Sequence, residues 1–341
     1  MFLGLWKDKN ADLLGLDIGS DTIKLIDIDC TQSPMRLNNY AILPLPPGSI
    51  EKNEVKDIRA VSQIIKQLYQ QFNTKTKEIA IAIPRSAVIL KNTTVNSRLS
   101  SSEIESRVWL EANQNFPELI GGLYLDYQIL GPSSEDSAQL DLLMIACRKD
   151  QINPYIDILR QSDLVPNVVD VNSYALERAL SICAVDYTNL ETTALINLDL
   201  ALSSLVVVHK NELIYAHDYS YDGHRLIEQT KSYLDAEVKD ASAYHNMLKE
   251  NLIPHLLHAM HFFYSSRPHV SIQTLFLSGE CVRLPDIANV VEKEIGIPSV
   301  VANPFTHMTL ASHLKREEVT RVSPMLMLCC GLALYGNLCQ K

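Results

Sequence analysis

The sequence has no uninterrupted apolar run of the roughly 18 residues that a membrane-spanning helix needs. It is also poor in positive charge, because 30 lysines and arginines stand against 40 aspartates and glutamates and leave a formal net charge of -10. Proteins that bind nucleic acid neutralise its phosphates with a basic face. We therefore expect a cytosolic protein with neither a membrane span nor a nucleic-acid partner.

Recognisable metal-binding and catalytic motifs are missing as well. The seven cysteines form no Cys-x-x-Cys pair and show no zinc-finger spacing, so we expect reduced thiols. The sequence contains no Gly-x-Ser-x-Gly elbow, no His-Glu-x-x-His helix and no P-loop. His255, His258 and His261 recur on a predicted helix, but steps of three turn them around it, and we expect a solvent-facing row rather than metal ligands.

What the sequence does contain is a repeated order of strands. The chain has 341 residues, of which 47% are apolar, so it is long enough to build two hydrophobic cores. Residues 13–29 read as a buried strand, a Gly-Ser-Asp turn and a second strand. Residues 193–221 repeat that order and add a third strand. Two related lobes of mixed α/β structure are therefore predicted.

The segments between the two hairpins divide the chain further. A helix at 55–72 and a strand at 78–84 complete the first unit. A helix at 101–115, two strands and a helix at 151–162 then indicate an inserted subdomain. The predicted boundaries are residues 1–85 and 166–190 for the first lobe, 86–165 for the inserted subdomain, 191–323 for the second lobe, and 324–341 for a closing helix that packs back on the first lobe.

The first hairpin turn carries the residue types of a phosphate site. Asp17 ends a buried strand, where a carboxylate can hold a hydrated divalent metal. Gly19 lets backbone N–H groups approach phosphate oxygens. Ser20 and Thr22 add hydroxyl donors, and Lys24 adds a cation. An ordinary hairpin turn has the same appearance, so this segment alone does not decide between the two interpretations.

A second glycine turn lies far along the chain. Ser278-Gly279-Glu280 follows an apolar strand and precedes a predicted helix at 284–295. A nucleoside or phosphate often meets a protein at such a helix start. An ordinary strand-to-helix loop is the alternative, and the residue types favour neither.

Both turns lie within a resemblance to the type IV pilus assembly protein PilM family that spans almost the whole chain. The segments that carry it are LLGLDIGSDTIKLIDI, LYLDYQIL, LLMIACRKD, VVDVNSYALERAL, LFLSGECVRLPDI and CGLALYGN. The resemblance implies an α/β, two-lobe actin-like fold, similar to the cell-division protein FtsA. It has a duplicated ribonuclease H-like core and a small α+β subdomain inserted in the first lobe.

The resemblance also implies a site for ATP and Mg²⁺ between the lobes. Asp17 and Asp199 are the implied metal contacts, through water, and no catalytic residue is assigned. The residues that the resemblance assigns are Asp17, Gly19, Ser20, Asp21, Thr22 and Lys24 in the first phosphate motif, Asn197 and Asp199 in the second, and Gly279 and Glu280 in the adenosine motif.

The second phosphate motif departs from the family pattern. The family typically has Asp-x-Gly, whereas this chain has Asn197-Leu198-Asp199. Glu280 and Cys281 likewise stand where glycine-rich residues are typical. An amide cannot neutralise a metal ion, and a carboxylate repels phosphate unless Mg²⁺ lies between them. We expect at most a weak ATPase, and the alternative is a scaffold with a non-hydrolysing or empty cleft.

The implied partners are proteins. The resemblance predicts a cytoplasmic scaffold, peripheral at the inner membrane, that holds the N-terminal tail of a PilN-like membrane protein in a groove of the first lobe. Other pilus platform proteins, assembly ATPases and further copies of the chain are also implied, and a type II secretion or competence platform is the alternative assembly. Trp109 on the inserted helix is either an exposed anchor or a core residue.

Overall fold

The computed structural model describes residues 13–51, 54–72, 74–116, 120–187, 189–234 and 241–335. The predicted closing helix at 324–341 lies partly outside the described residues. The strands are β1 Leu14–Ile18, β2 Thr22–Asp29, β3 Arg36–Pro44, β4 Ile50–Glu51, β5 Glu54–Val55, β6 Glu78–Ile83, β7 Val88–Asn96, β8 Leu123–Pro132, β9 Gln139–Arg148, β10 Val165–Val171, β11 Thr192–Leu198, β12 Leu202–His209, β13 Glu212–Ser220, β14 Thr274–Ser278, β15 Ser299–Val301 and β16 Thr309–Leu310. The helices are α1 Ile58–Gln70, α2 Ser101–Asn115, α3 Lys149–Gln161, α4 Asn172–Cys183, α5 Gly223–Leu234, α6 Ala241–Asn251, α7 Ile253–Ser266, α8 Ile287–Ile295, α9 Arg316–Val322 and α10 Met327–Ala333.

Two large sheets share one topology. The first has the order β10-β6-β1-β2-β3-β16, and the second has the order β13-β12-β11-β14-β15. In each, an antiparallel meander of three strands is followed by two strands that run parallel to its first member. The first strand of each meander is therefore central and covered on both faces, which is why β1 and β11 are almost entirely buried. This duplication confirms the predicted two-lobe α/β architecture.

Helices α4 and α10 pack between the two sheets. One buried cluster joins Ile26 and Leu37 of the first sheet to Leu195 and Val206 of the second through apolar side chains of both helices. The close approach of the two helices depends on Gly331, where a Cβ atom would lie 1.7 Å from the carbonyl oxygen of Ala175. The sheets therefore share a core, and their hairpin turns face each other across a cleft.

The inserted unit is a three-stranded sheet of order β7-β9-β8 covered by α2. Sequence analysis predicted β8, β9 and α2, but it missed β7. Most residues of this strand are exposed or half-buried, and Lys91 and Asn92 lie in its middle, so its apolar alternation is weak. Its nine-residue antiparallel pairing with β9 supplies the order that the local sequence does not signal.

Two further elements differ from the prediction. The helix predicted at 284–295 begins only at Ile287, because Glu280–Arg283 forms a 3-10 turn and Pro285 follows it. Strand β16 pairs in parallel with β3 of the first sheet, although residues 309 and 310 lie in the range predicted for the second lobe. That strand returns the chain to the first sheet before α10. The remaining lobe boundaries stay a prediction.

The histidine row on α7 is only partly as expected. His258 and His261 are exposed, whereas the ring of His255 stacks on Tyr221 with 4.4 Å between centroids. Burial, followed by the charge of His258, lowers the pKa of His255. Within the described ranges, no set of three or more histidine, cysteine, aspartate or glutamate side chains could hold a metal ion, and no helix is long and apolar enough to cross a membrane.

Candidate functional site

The cleft brings together the turns that follow β1, β11 and β14. Asp17 and Lys24 face each other directly in the antiparallel register of the first hairpin, which places both side chains on one face of the sheet. Asn197 and Asp199 come from the second hairpin, and Glu280 follows β14. Most of the predicted site residues are thus neighbours. They line a cavity of about 80 Å³.

A buried lysine lies at the centre of the cleft. Lys24 is 1% exposed, and its Nζ lies 3.0 Å from Oδ2 of Asp17 and 3.3 Å from Oε1 of Glu280. The hydroxyl of Thr22 donates to the same oxygen of Glu280. Glu280 lies in the turn after β14 of the second sheet, and the other three residues lie on β1 and β2 of the first sheet, so this cluster bridges the cleft.

Asn197 has a structural position beneath this cluster. Its side-chain carbonyl accepts a hydrogen bond of 2.8 Å from the hydroxyl of Ser278, its partner across β11 and β14. Its amide donates to Oδ2 of Asp199 at 2.6 Å. The backbone N–H of Glu280 donates to Oδ1 of Asp199 at 3.3 Å. Asn197 therefore joins two strands and orients Asp199, whose carboxylate accepts from the turn after β14.

Gly279 is required by the backbone of that turn. Its φ is +95°, a value that other residue types rarely adopt. A Cβ atom there would also lie 2.5 Å from the carbonyl carbon and oxygen of Leu198. The N–H of Gly279 donates to the carbonyl of Pro324 at 2.8 Å. These constraints account for the glycine without a ligand.

Ser20 and Asp21 lie at the rim of the cleft. The Ser20 hydroxyl donates to the Asp21 carboxylate, whose Oδ2 lies 3.1 Å from Nε2 of His224 at the start of α5. Gly19 closes the turn, with its N–H donating to the Thr22 carbonyl at 3.0 Å. Sequence analysis placed Ser20 and Asp21 among the cofactor-binding residues of the first phosphate motif. In the structure both side chains have a partner within the protein.

The charged side chains of the cleft change one another's pKa. Burial alone would lower the pKa of Lys24, but Asp17, Asp199 and Glu280 outweigh it and raise that pKa well above its usual value. Burial raises the pKa of Asp199 to about 6, and Asp17 and Glu280 add to the rise while Lys24 opposes it. Three carboxylates thus share one ammonium, and burial makes the ionisation of Asp199 unfavourable.

These side chains do not fit the predicted ATP and Mg²⁺. Pockets for small ligands enclose roughly 300 to 1,000 Å³, against about 80 Å³ here. Two of the predicted phosphate donors are already engaged, because Thr22 donates to Glu280 and Lys24 donates to Asp17 and forms an ion pair with Glu280. Of the predicted metal contacts, Asp17 pairs with Lys24, and Asp199 accepts two hydrogen bonds from the protein.

A second polar contact joins the two sheets away from Lys24. The N–H of Arg85 donates to Oδ1 of Asn172 at 3.0 Å, and the N–H of Ser86 donates to Oδ2 of Asp218 at 3.1 Å. The amide of Asn172 donates to Oγ of Ser204 and Oδ1 of Asp218, at 3.2 and 3.3 Å. Residues 85 and 86 lead into the inserted unit. Its base is therefore fixed to the second sheet.

A larger groove, of about 660 Å³, lies between the inserted unit and α3. Trp109 of α2 is 42% exposed and lines it, which settles the question of a buried or exposed tryptophan. Sequence reasoning missed the α3 wall, although the i, i+4 and i+3 spacings of its polar residues mark one helix face. The groove residues are Glu105, Trp109, Leu123, Tyr124, Leu125, Lys149, Asn153, Ile156, Asp157 and Arg160.

Replacing the buried ammonium tests the importance of the cluster. We expect Lys24→Met to lower the free energy of unfolding by about 3–5 kcal/mol, because it leaves buried carboxylates without a counter-ion. Lys56→Met is the matched control, since Lys56 pairs with Glu54 at the exposed surface, where such a pair contributes about 1 kcal/mol or less. Urea unfolding followed by circular dichroism measures both. Equal losses in the two variants would show that the cluster is unimportant.

The raised pKa of Asp199 predicts a pH dependence of stability. The folded protein ionises Asp199 near pH 6, whereas an unfolded chain does so near pH 4. The folded state therefore binds the extra proton between these values, and stability falls as the pH rises through that window. From pH 5 to pH 7 the wild type should lose about 1 kcal/mol more than Asp199→Asn. Parallel urea-unfolding profiles for the two proteins would contradict the assignment.

Comparison with known proteins identifies the family. The sequence model described as "Type IV pilus assembly protein PilM" matches residues 15–337. A solved structure described as "PilM-PilN type IV pilus biogenesis complex" has a TM-score of 0.78 and 22% identity, covering 96% of this chain and 98% of that chain. The ethanolamine utilization protein EutJ from Carboxydothermus hydrogenoformans has a TM-score of 0.53 and 12% identity, covering 94% of this chain and 89% of that chain. The structural likenesses establish the actin-like fold, and the match over residues 15–337 shows that this chain belongs to the type IV pilus assembly protein PilM family.

Proposed function

We propose that this chain is a peptide-binding scaffold of the type IV pilus inner-membrane assembly platform. Its ligand is the N-terminal cytoplasmic tail of a PilN-like membrane protein, and its binding site is the groove between the inserted unit and α3. Family membership supports the assembly, and the similar solved complex pairs a PilM protein with PilN. The pilus family description favours this assembly over a secretion or competence platform.

The groove carries the proposal because its chemistry suits an extended peptide. Trp109 of α2 supplies exposed apolar surface, while Lys149 and Asp157 of α3 supply charges of both signs. A peptide with apolar side chains at alternate positions can bury them here and leave its polar residues at the rim. The exposed indole is the type of side chain that anchors such interfaces.

The wall of the groove is also preorganised. The hydroxyl of Tyr124 donates to Oδ1 of Asn153 at 2.8 Å, which joins β8 to α3. Nζ of Lys149 donates to the carbonyl of Gly121 at 3.0 Å and lies 5.6 Å from the centre of the Tyr124 ring. Side chains held in place by such contacts lose little conformational entropy when a peptide binds.

We propose that the scaffold works without turnover of ATP. The observation that favours a cleft without turnover is that Thr22 donates to Glu280 and Lys24 donates to Asp17, both carboxylates of the protein. A bound tail of an inner-membrane protein would hold the chain at the membrane surface, as a peripheral protein. Other platform proteins, assembly ATPases and further copies of the chain remain predicted partners.

Replacing Trp109 tests the groove. We expect Trp109→Ala to weaken binding of a synthetic peptide with the sequence of the PilN-like tail from the same organism by about tenfold or more, since a buried aromatic anchor contributes 1.4 kcal/mol or more. Leu110→Ala is the matched control, because Leu110 is a neighbouring exposed residue that does not line the groove. Fluorescence anisotropy of the labelled peptide gives both affinities. Unchanged affinity in Trp109→Ala would exclude this groove as the binding site.

A further inference from the structure

Two polar groups of the first hairpin are engaged by a carboxylate from the turn after β14. Thr22 Oγ1 and Lys24 Nζ both contact Oε1 of Glu280, a residue that lies 258 positions beyond Thr22 in the chain. We propose that Glu280 is an internal anion, which takes the donors that the hairpin would offer to a phosphate group and so closes the cleft without a ligand. This inference concerns the cleft and goes beyond the peptide groove.

The geometry of the contact matches that of a bound anion. The Thr22 hydroxyl donates to one oxygen of Glu280, and the Lys24 ammonium forms an ion pair with the same oxygen at 3.3 Å. A hydrogen bond to an ionised carboxylate is stronger than one between neutral groups. Lys24 is 1% exposed and the side chain of Glu280 is 16% exposed, so water competes little for either group. The carboxylate therefore has the contacts that a phosphate oxygen would need.

Asp199 removes a further donor. Its carboxylate accepts from the backbone N–H of Glu280, the first N–H group after Gly279. Together with Asp17 it surrounds Lys24 with negative charge. A phosphate placed here would meet three carboxylates and one ammonium, and at this degree of burial the repulsion is only weakly screened. Asp199 and Glu280, which both depart from the family pattern, thus oppose the binding of an external anion in the same way.

Closure by Glu280 is supported by the second contact between the sheets. The N–H of Ser86 and the amide of Asn172 both donate to the carboxylate of Asp218. A buried apolar cluster that includes side chains of both sheets lies behind these contacts. The closed arrangement is therefore held by groups of the chain itself on two sides of the cleft.

Removing the internal anion provides the test. Thermal unfolding of the full chain is measured without additions, with millimolar inorganic phosphate, with pyrophosphate, and with Mg²⁺ and ATP. The wild type should show no rise in melting temperature with any of them. Glu280→Ala should melt several degrees lower, and one or more of the anions should raise its melting temperature by about 3 °C or more, because a ligand that binds only the folded state stabilises it.

Glu318→Ala is the matched control, because it also removes a glutamate paired with a lysine, Lys315, but at the surface. It should melt like the wild type and respond to no anion. A rise of the wild-type melting temperature with Mg²⁺ and ATP would overturn the proposal, and this arm needs no variant. So would a Glu280→Ala protein that folds and ignores all three anions. These experiments do not measure peptide affinity. A result that contradicts the proposal for the cleft therefore leaves the proposed peptide-binding function of the groove unaffected.

Discussion

The cleft is organised by the need to neutralise one buried ammonium group. Lys24 lies on β2 with almost no access to water, and an unpaired charge in that position costs several kcal/mol. Its counter-ions come from two places, Asp17 on the neighbouring strand and Glu280 beyond β14. The pairing therefore neutralises the charge of Lys24 and also holds the turn after β14 close to the first sheet. The tight turn at Gly279 is needed to bring Glu280 to this position.

A closed cleft has a consequence for the peptide groove. Helix α3 packs with α1 against the first sheet, and the inserted unit is fixed at its base by the contacts of Arg85 and Ser86. The groove between α3 and the inserted unit thus belongs to a body whose two sheets are already joined. A ligand can shift a conformational equilibrium only by its different affinities for the two states. If the cleft takes no nucleotide, then nucleotide cannot shift the conformation of the groove.

Sequence reasoning reached the fold through the two hairpins, because strand alternation and turn residues are local signals. The resemblance to the PilM family, rather than a local pattern, gathered Asn197 and Glu280 with Asp17 and Lys24 into one site. It did not reveal that Glu280 would occupy the donors of Thr22, because that contact depends on how two distant turns meet. The weakly alternating strand β7 and the α3 wall of the groove were missed for the same reason. Strand β7 and the α3 wall can be recognised only once the elements that they pair with or pack against are known.

The central claim is that nucleotide in the cleft does not affect the peptide groove. It is tested most directly by the affinity of the chain for the PilN-like tail peptide in the absence and presence of saturating Mg²⁺ and ATP. Titration calorimetry at one temperature and ionic strength gives both dissociation constants. We expect the two constants to agree within about twofold, because a cleft that takes no nucleotide contributes no coupling free energy to the groove. A change of about fivefold or more would contradict it, and would show that this chain binds the nucleotide and transmits its presence to the peptide site.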